Sequence, residues 1–316
     1  MLINDFTKIP FEEIVQFGQR KMLHRDLVNV SWILGRYCNY NCSYCWTHAR
    51  SNTRDHRPVE LIVKTIDEIK KQSRERGYNS FHFGFSGGEP TLHPGFIDVI
   101  NFYSKDTLST IYQSLHITTN LSLGLNFWEK FVKASSQLHD VGVTASWHRE
   151  AGVSNLATHA KKFADKLLFL QSQNIHTTIN MVMAIKYFED LKNEALFFHE
   201  QGLNVTLKPM SIPAANVLID QYSQEQIEFM QQGFPQRNLQ KSKSNTHIPR
   251  VEPKIKVPRP IVEHQSDSID SIEVQLKDSN GKTWYFDQAK RFNAFNFNNF
   301  YNWNCEAGLR SLIIID

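Results

Sequence analysis

The sequence predicts an α/β fold built on a parallel sheet covered by helices. Three observations predict it. Six short β-like runs recur at intervals of roughly 25–50 residues. Amphipathic stretches with three-to-four spacing lie between them. The residues with chemistry to offer fall just after the runs, where parallel α/β folds place reactive groups. Two architectures satisfy this alternation: an open doubly wound sheet, and a closed or partial (β/α) barrel.

Residues 1–27 are expected to form an N-terminal helical segment. The strands are then predicted at Val28–Gly35, Phe81–Phe85, Leu115–Asn120, Val141–Trp147, Thr177–Met183 and Val205–Leu207. One helix carries Val59, Ile62, Ile66 and Ile69, opened by Pro58 and closed by Gly77. A second carries Leu156, Ala160, Phe163, Leu167 and Leu170, with Ser154 or Asn155 placed to cap it. A third carries Phe188, Leu191, Ala195 and Phe198 and stops at Gly202. The alternation ends near residue 235. Residues 236–263 hold four prolines and, from Arg237 to Arg259, seven Lys/Arg opposed only by Glu252. Prolines this dense exclude a helix interior, so the stretch reads as a basic linker, either a solvated connector or a contact surface for an acidic partner or nucleic acid. Residues 264–316 form a C-terminal extension in which Ile272–Leu276 and Thr283–Phe286, joined by Asp278-Ser279-Asn280-Gly281, predict a hairpin.

Composition bounds the function. The chain has 316 residues, 22 of them Phe, and 41% apolar residues on a count that includes Tyr. Counted with Gly in place of Tyr, the apolar share is roughly 42%, enough for a real core. Its formal charge of +3, from 35 basic and 32 acidic residues, is smaller than a dedicated nucleic-acid binder usually carries and argues neither for nor against RNA. No apolar run approaches a membrane span, and no secretory leader is visible, so a cytoplasmic protein with reduced thiols is expected. Four Cys, three of them within eight residues, do not make a disulfide framework.

Those three are the strongest signal. Cys38-Asn39-Tyr40-Asn41-Cys42-Ser43-Tyr44-Cys45 follows the first strand, and a wrapping loop converges such thiols on one small centre. Soft thiolates select zinc, Cu(I) or iron–sulfur clusters. A cubane held by three Cys leaves one iron open. His48 offers a Cys3His zinc site instead, and inert buried thiols are the bland alternative.

The Cys38–Cys45 run, with Tyr44 just before the third Cys, resembles the cluster loop of radical S-adenosylmethionine (radical SAM) enzymes. Ser86-Gly87-Gly88-Glu89-Pro90 resembles that family's Gly-Gly-Glu-Pro motif, its glycines suited to close backbone approach to the ligand and its carboxylate to a SAM ammonium. Thr118-Thr119-Asn120 resembles the family's Thr-Asn-Gly, with Leu121 replacing the Gly. Ser146 stands where relatives often place a SAM-contacting Ser, followed here by Trp147-His148 rather than x-Asp.

The resemblance, spanning about residues 30–210, implies a partial (β/α)6 TIM-like barrel over 28–235. It implies a [4Fe-4S] cluster on Cys38, Cys42 and Cys45, and S-adenosyl-L-methionine contacted by Tyr44, Gly87, Gly88, Glu89, Pro90, Thr119, Asn120, Ser146, Asn180 and Leu207. His148 and Lys208 are the candidate catalytic side chains. One-electron reduction, by a donor such as ferredoxin or flavodoxin, cleaves SAM to methionine and a 5′-deoxyadenosyl radical that abstracts hydrogen from the substrate. Tyr40, Tyr44 and Trp46 would shield the cluster. Near the end, Cys305-Glu306-Ala307-Gly308 resembles the opening of the SPASM or twitch extension that holds an auxiliary cluster in peptide-modifying relatives. Further Cys do not follow it, so Cys305 is a candidate auxiliary ligand or an ordinary thiol. The tail favours a peptide or protein substrate, with a small molecule also open. A nucleotide or RNA substrate, or a non-catalytic iron–sulfur or zinc regulator, are the alternatives.

Overall fold

Strand order decides between the two architectures. In the computed structural model, which describes residues 13–19, 27–45, 51, 53–105, 112–212, 216–217, 221–235, 274–286 and 311–315, twelve strands are present among those residues. They are β1 (Ile14–Gln19), β2 (Leu27–Ile33), β3 (Ser80–Ser86), β4 (Tyr112–Thr119), β5 (Asp140–Trp147), β6 (His176–Val182), β7 (Val205–Lys208), β8 (Ser211–Ile212), β9 (Asn216–Val217), β10 (Val274–Asp278), β11 (Thr283–Phe286) and β12 (Ser311–Ile315). Six helices accompany them: α1 (Val59–Glu75), α2 (Phe96–Lys105), α3 (Leu125–Ala134), α4 (Leu156–Ser172), α5 (Phe188–Glu200) and α6 (Gln224–Gln232).

Seven strands form one parallel sheet in the order β12-β2-β3-β4-β5-β6-β7. From β2 to β7 each strand adds beside its predecessor with no reversal. Right-handed crossovers in one direction put every connecting helix on the same face, whereas a doubly wound sheet reverses at a switch point. The sheet is therefore a partial TIM-like barrel. Period-two alternation does the sorting. Val28, Val30, Trp32, Phe81, Phe83, Phe85, Val141, Val143, Ala145 and Trp147 are buried in the core, while Asn29, Ser31, His82, Gly84, Thr144 and Ser146 stand on the other face and stay partly or fully exposed.

The helices follow their apolar stripes. Asn155, not Ser154, caps α4, its Oδ1 accepting from Thr158 N–H at 2.9 Å. Phe188, Leu191, Ala195 and Phe198 of α5 are all buried. On α1 the buried line runs Ile62, Ile66, Lys70, Ser73, so a lysine takes the buried place expected for Ile69, which is only partly buried against the core. Lys70 is 1% exposed; its ammonium donates to Tyr103 O and Gln113 Oε1, each at 3.3 Å, and lies 4.5 Å from the Tyr103 ring centroid.

One expectation about the ends is corrected. The N-terminal segment is not helical over Ile14–Gln19: it is strand β1, because it pairs antiparallel with β10 of the expected hairpin β10–β11. Contacts group the described residues 13–19 with 274–286 as one unit and those within 27–235 with 311–315 as the other. The apolar run at the end is a strand, β12, parallel to β2. The basic Pro-rich stretch and Cys305 lie outside the described residues. Among the described residues no helix is long and apolar enough to cross a membrane.

Candidate functional site

The cysteine loop leaves the C-terminal end of β2 and is fastened at once to the turn after β3. Leu34 N–H donates to Ser86 O at 2.8 Å, Gly88 N–H to Gly35 O at 3.2 Å and Glu89 N–H to Tyr37 O at 2.7 Å. This docking explains the two glycines. A Cβ on Gly87 would lie 2.3 Å from Gly35 O, and one on Gly88 would lie 2.3 Å from Tyr37 O. Their lack of a side chain serves the approach of one loop to the other.

Glu89 is likewise engaged inside the protein. It is 2% exposed, and its oxygens accept from Thr91 N–H (3.1 Å), Thr91 Oγ1 (2.6 Å), Thr119 Oγ1 (2.7 Å) and Asn120 N–H (2.5 Å). Burial pushes its carboxyl above the ordinary range, while those four donors pull it back. Glu89 thus ties the Gly-Gly-Glu-Pro turn to the end of β4. Pro90 starts the short 3-10 turn that Glu89 caps. Beyond Asn120, Leu121 occupies φ +56°, the left-handed region a glycine would fill without cost, and its carbonyl accepts from Lys166 of α4. Burial brings the Lys166 ammonium down to about 8.

Cys38, Cys42 and Cys45 are reduced; Cys42 is buried and the other two partly exposed. Burial first, then the neighbouring Cys38 and Cys45, push the Cys42 thiol up to about 12, and Cys38 is raised by burial too. Cys38 and Cys45 both add to the rise at Cys42, so the three thiols are electrostatic neighbours on the loop. Cys38 Sγ accepts from Tyr40 N–H at 3.4 Å and from Asn120 Nδ2 at 3.7 Å, and Asn120 Nδ2 also donates to Asn39 Oδ1 at 2.9 Å.

The donor set fits an iron–sulfur cluster. Three soft ligands on one loop, costly to ionise side by side, suit a polynuclear cation, whose binding would offset the cost of ionising them. Among the described residues no three His, Cys, Asp or Glu converge as a single ion requires; a cluster asks less, since each thiolate takes its own iron. His48 and Trp46 lie outside the described residues.

At the other end of the loop, the Tyr44 hydroxyl hydrogen-bonds His148 Nδ1 at 2.9 Å, and the His148 ring stacks on Tyr44 and meets Tyr40 edge-on. Burial holds the imidazole down to about 4, so it is neutral. Ser146 and Asn180 are in register side by side on the inner face. Lys208 stands on the far edge strand opposite Val182, exposed. Leu207 does not join them: its register partner is buried Met181, and it packs against the core on the helix side, as the alternation on β7 requires. The sequence did not single out Glu150, Ser43, Asn39 or Lys166, whose partners lie up to 107 residues away.

The model of the radical SAM superfamily matches residues 32–190. A cysteine-type anaerobic sulfatase-maturating enzyme of Clostridium novyi (strain NT) is 27% identical over 119 residues, 36% of this chain and 30% of that protein. A 7-carboxy-7-deazaguanine synthase of Clostridium acetobutylicum is 32% identical over 99 residues, 31% of this chain and 40% of that protein. The chain thus spans well under half the length of either relative. Among solved structures, a histidine-tagged anSMEcpe with bound AdoMet superposes with a TM-score of 0.46 at 16% identity, over 59% of this chain and 52% of that one.

Proposed function

The chain belongs to the radical SAM superfamily, and on that premise we propose that it holds a [4Fe-4S] cluster on Cys38, Cys42 and Cys45, cleaves S-adenosylmethionine reductively and abstracts hydrogen from a peptide or protein substrate. The family implies both cofactors. The observation that supports the proposal is that the loop carrying Cys38, Cys42 and Cys45, electrostatic neighbours of one another, is docked by backbone hydrogen bonds against the Gly87–Pro90 turn.

When bound, cluster and SAM supply the one-electron cleavage that makes a hydrogen-abstracting radical. The chain's own residues do the rest. Tyr40 N–H and Asn120 Nδ2 donate to Cys38 Sγ and draw charge from it, a lever on cluster potential. The rings of Tyr40, Tyr44 and His148 pack together and would shield the neighbouring thiols from water. Because four internal donors already occupy Glu89, recognition of a SAM ammonium falls to other groups of the turn and the inner face, Ser146 and Asn180 among them. Reduction needs a low-potential one-electron donor such as ferredoxin or flavodoxin.

The sulfatase-maturating relative supports a protein substrate. The deazaguanine synthase supports a second reading, a nucleobase-like substrate. Anaerobic reconstitution is expected to load ~4 Fe per chain, and dithionite with SAM to release 5′-deoxyadenosine, with both lost in Cys42→Ala. Stoichiometric zinc without iron uptake would instead support a non-catalytic regulator. Stimulation of 5′-deoxyadenosine release by peptides but not by deazapurines selects the first substrate class, and the reverse selects the second.

A further inference from the structure

Four consecutive residues at the end of β5 go alternately to two destinations. Trp147 Nε1 donates to Glu194 Oε2 of α5 at 2.7 Å, and Arg149 pairs with Asp190 of the same helix at 3.0 Å and with Glu194. The residues between them turn to the cysteine loop. His148 bonds and stacks on Tyr44. Glu150 accepts from Ser43 N–H at 2.6 Å and from the Ser43 hydroxyl at 2.9 Å, and pairs with Lys186 at 3.1 Å. Ser43 and Tyr44 are the two residues between Cys42 and Cys45.

We propose that Trp147–Glu150 is a brace that sets the Cys42–Cys45 turn before iron arrives, with His148 and Glu150 as positioning residues for the cluster ligands. The inference rests on the cluster assignment above. Trp147 ends β5, and Arg149 and Glu150 lie in the turn closed by Ala151 N–H donating to His148 O at 3.1 Å, so one short strand-to-turn segment grips the helix layer with Trp147 and Arg149 and the loop with His148 and Glu150. A carboxylate accepting both a backbone N–H and a hydroxyl makes two charge-assisted hydrogen bonds, stronger than neutral ones and fixed in direction. Ordering a turn in advance removes that ordering cost from the binding step, and outer partners that orient metal ligands govern how firmly the metal is kept. The brace accounts for His148 without giving it a proton to move: its ring is enclosed by Tyr40 and Tyr44.

The test has two arms. In iron-free protein, hydrogen exchange at the Ser43 amide is expected to be slow in wild type, at least about tenfold faster in Glu150→Ala, and intermediate in Glu150→Gln, whose amide oxygen still accepts. In reconstituted protein, iron release to a chelator is expected to be about tenfold to a hundredfold faster in Glu150→Ala, the usual scale for losing an outer-sphere partner, with partial rescue in Glu150→Gln and no change in the surface control Lys192→Ala. Should Glu150→Ala fold poorly, Ser43→Ala removes the hydroxyl arm alone and is expected to speed iron release by a smaller factor. Unchanged Ser43 exchange in Glu150→Ala, or iron release equal to wild type in both Glu150→Ala and Ser43→Ala, overturns the brace. Absence of iron uptake by wild type overturns the cluster assignment instead, and the exchange arm still decides whether the turn is braced.

Discussion

The carboxylate of Glu89 accepts the backbone N–H of Asn120 at 2.5 Å and the hydroxyl of Thr119 at 2.7 Å, so the turn after β3 and the end of β4 are one unit. Truncating it strands buried donors, each worth about 1–3 kcal/mol. Glu89→Ala is therefore expected to lower the unfolding free energy of the iron-free protein by at least about 3 kcal/mol in urea. A loss under about 1 kcal/mol would show that Glu89 is not a structural tie.

Leu121 separates backbone strain from burial. Its side chain is fully buried, yet its φ is +56°. Both Leu121→Ala and Leu121→Gly lose the packing, but only glycine escapes the left-handed penalty of about 1–2 kcal/mol. The glycine variant is expected to be the more stable of the two by about 1 kcal/mol in denaturant titrations. The opposite order would mean the local backbone relaxes when the side chain is removed.

His82 gives the fold an acid-sensitive element. Burial, then the neighbouring His116, lower its imidazole to about 4, while Asp140 opposes them; its Nδ1 lies 2.8 Å from Ser114 Oγ. The folded state then binds fewer protons than the unfolded one between about 4 and 6.5, so stability falls as pH drops through that window and is fully present above it. His82→Gln is expected to flatten the slope of stability against pH between 6.5 and 4. Identical slopes in variant and wild type would rule out His82 as a contributor.

Lys70 holds together α1, Tyr103 and Gln113 from inside. Lys70→Ala is expected to cost about 2–5 kcal/mol, the scale for truncating a long buried side chain. A variant with the wild-type thermal midpoint would show that the two acceptors find other partners.

Much of this was legible because burial on a strand has a short period. Phe81, Phe83 and Phe85 alternate with His82 and Gly84, and the register carries that alternation across the sheet. The three cysteines were legible because their chemistry is local. Lys70 was not, since a lysine on a helix reads as solvated until the acceptors from α2 and β4 are in place. β12 was not, because its partner β2 lies at the other end of the chain. The glycines of the Gly-Gly-Glu-Pro turn read as room for a ligand, and the approach of the cysteine loop's own backbone to them was not legible. Glu150 meets Ser43 across 107 residues, a pairing no local pattern encodes.

The central claim is that three thiolates leave one iron of a [4Fe-4S] cluster open to SAM. Low-temperature EPR of the reconstituted, dithionite-reduced protein, recorded with and without saturating SAM, tests it most directly. The spectrum of the reduced cluster is expected to shift when SAM is added, because a new ligand enters the iron's coordination sphere. A reduced-cluster spectrum that SAM leaves unchanged would contradict the claim.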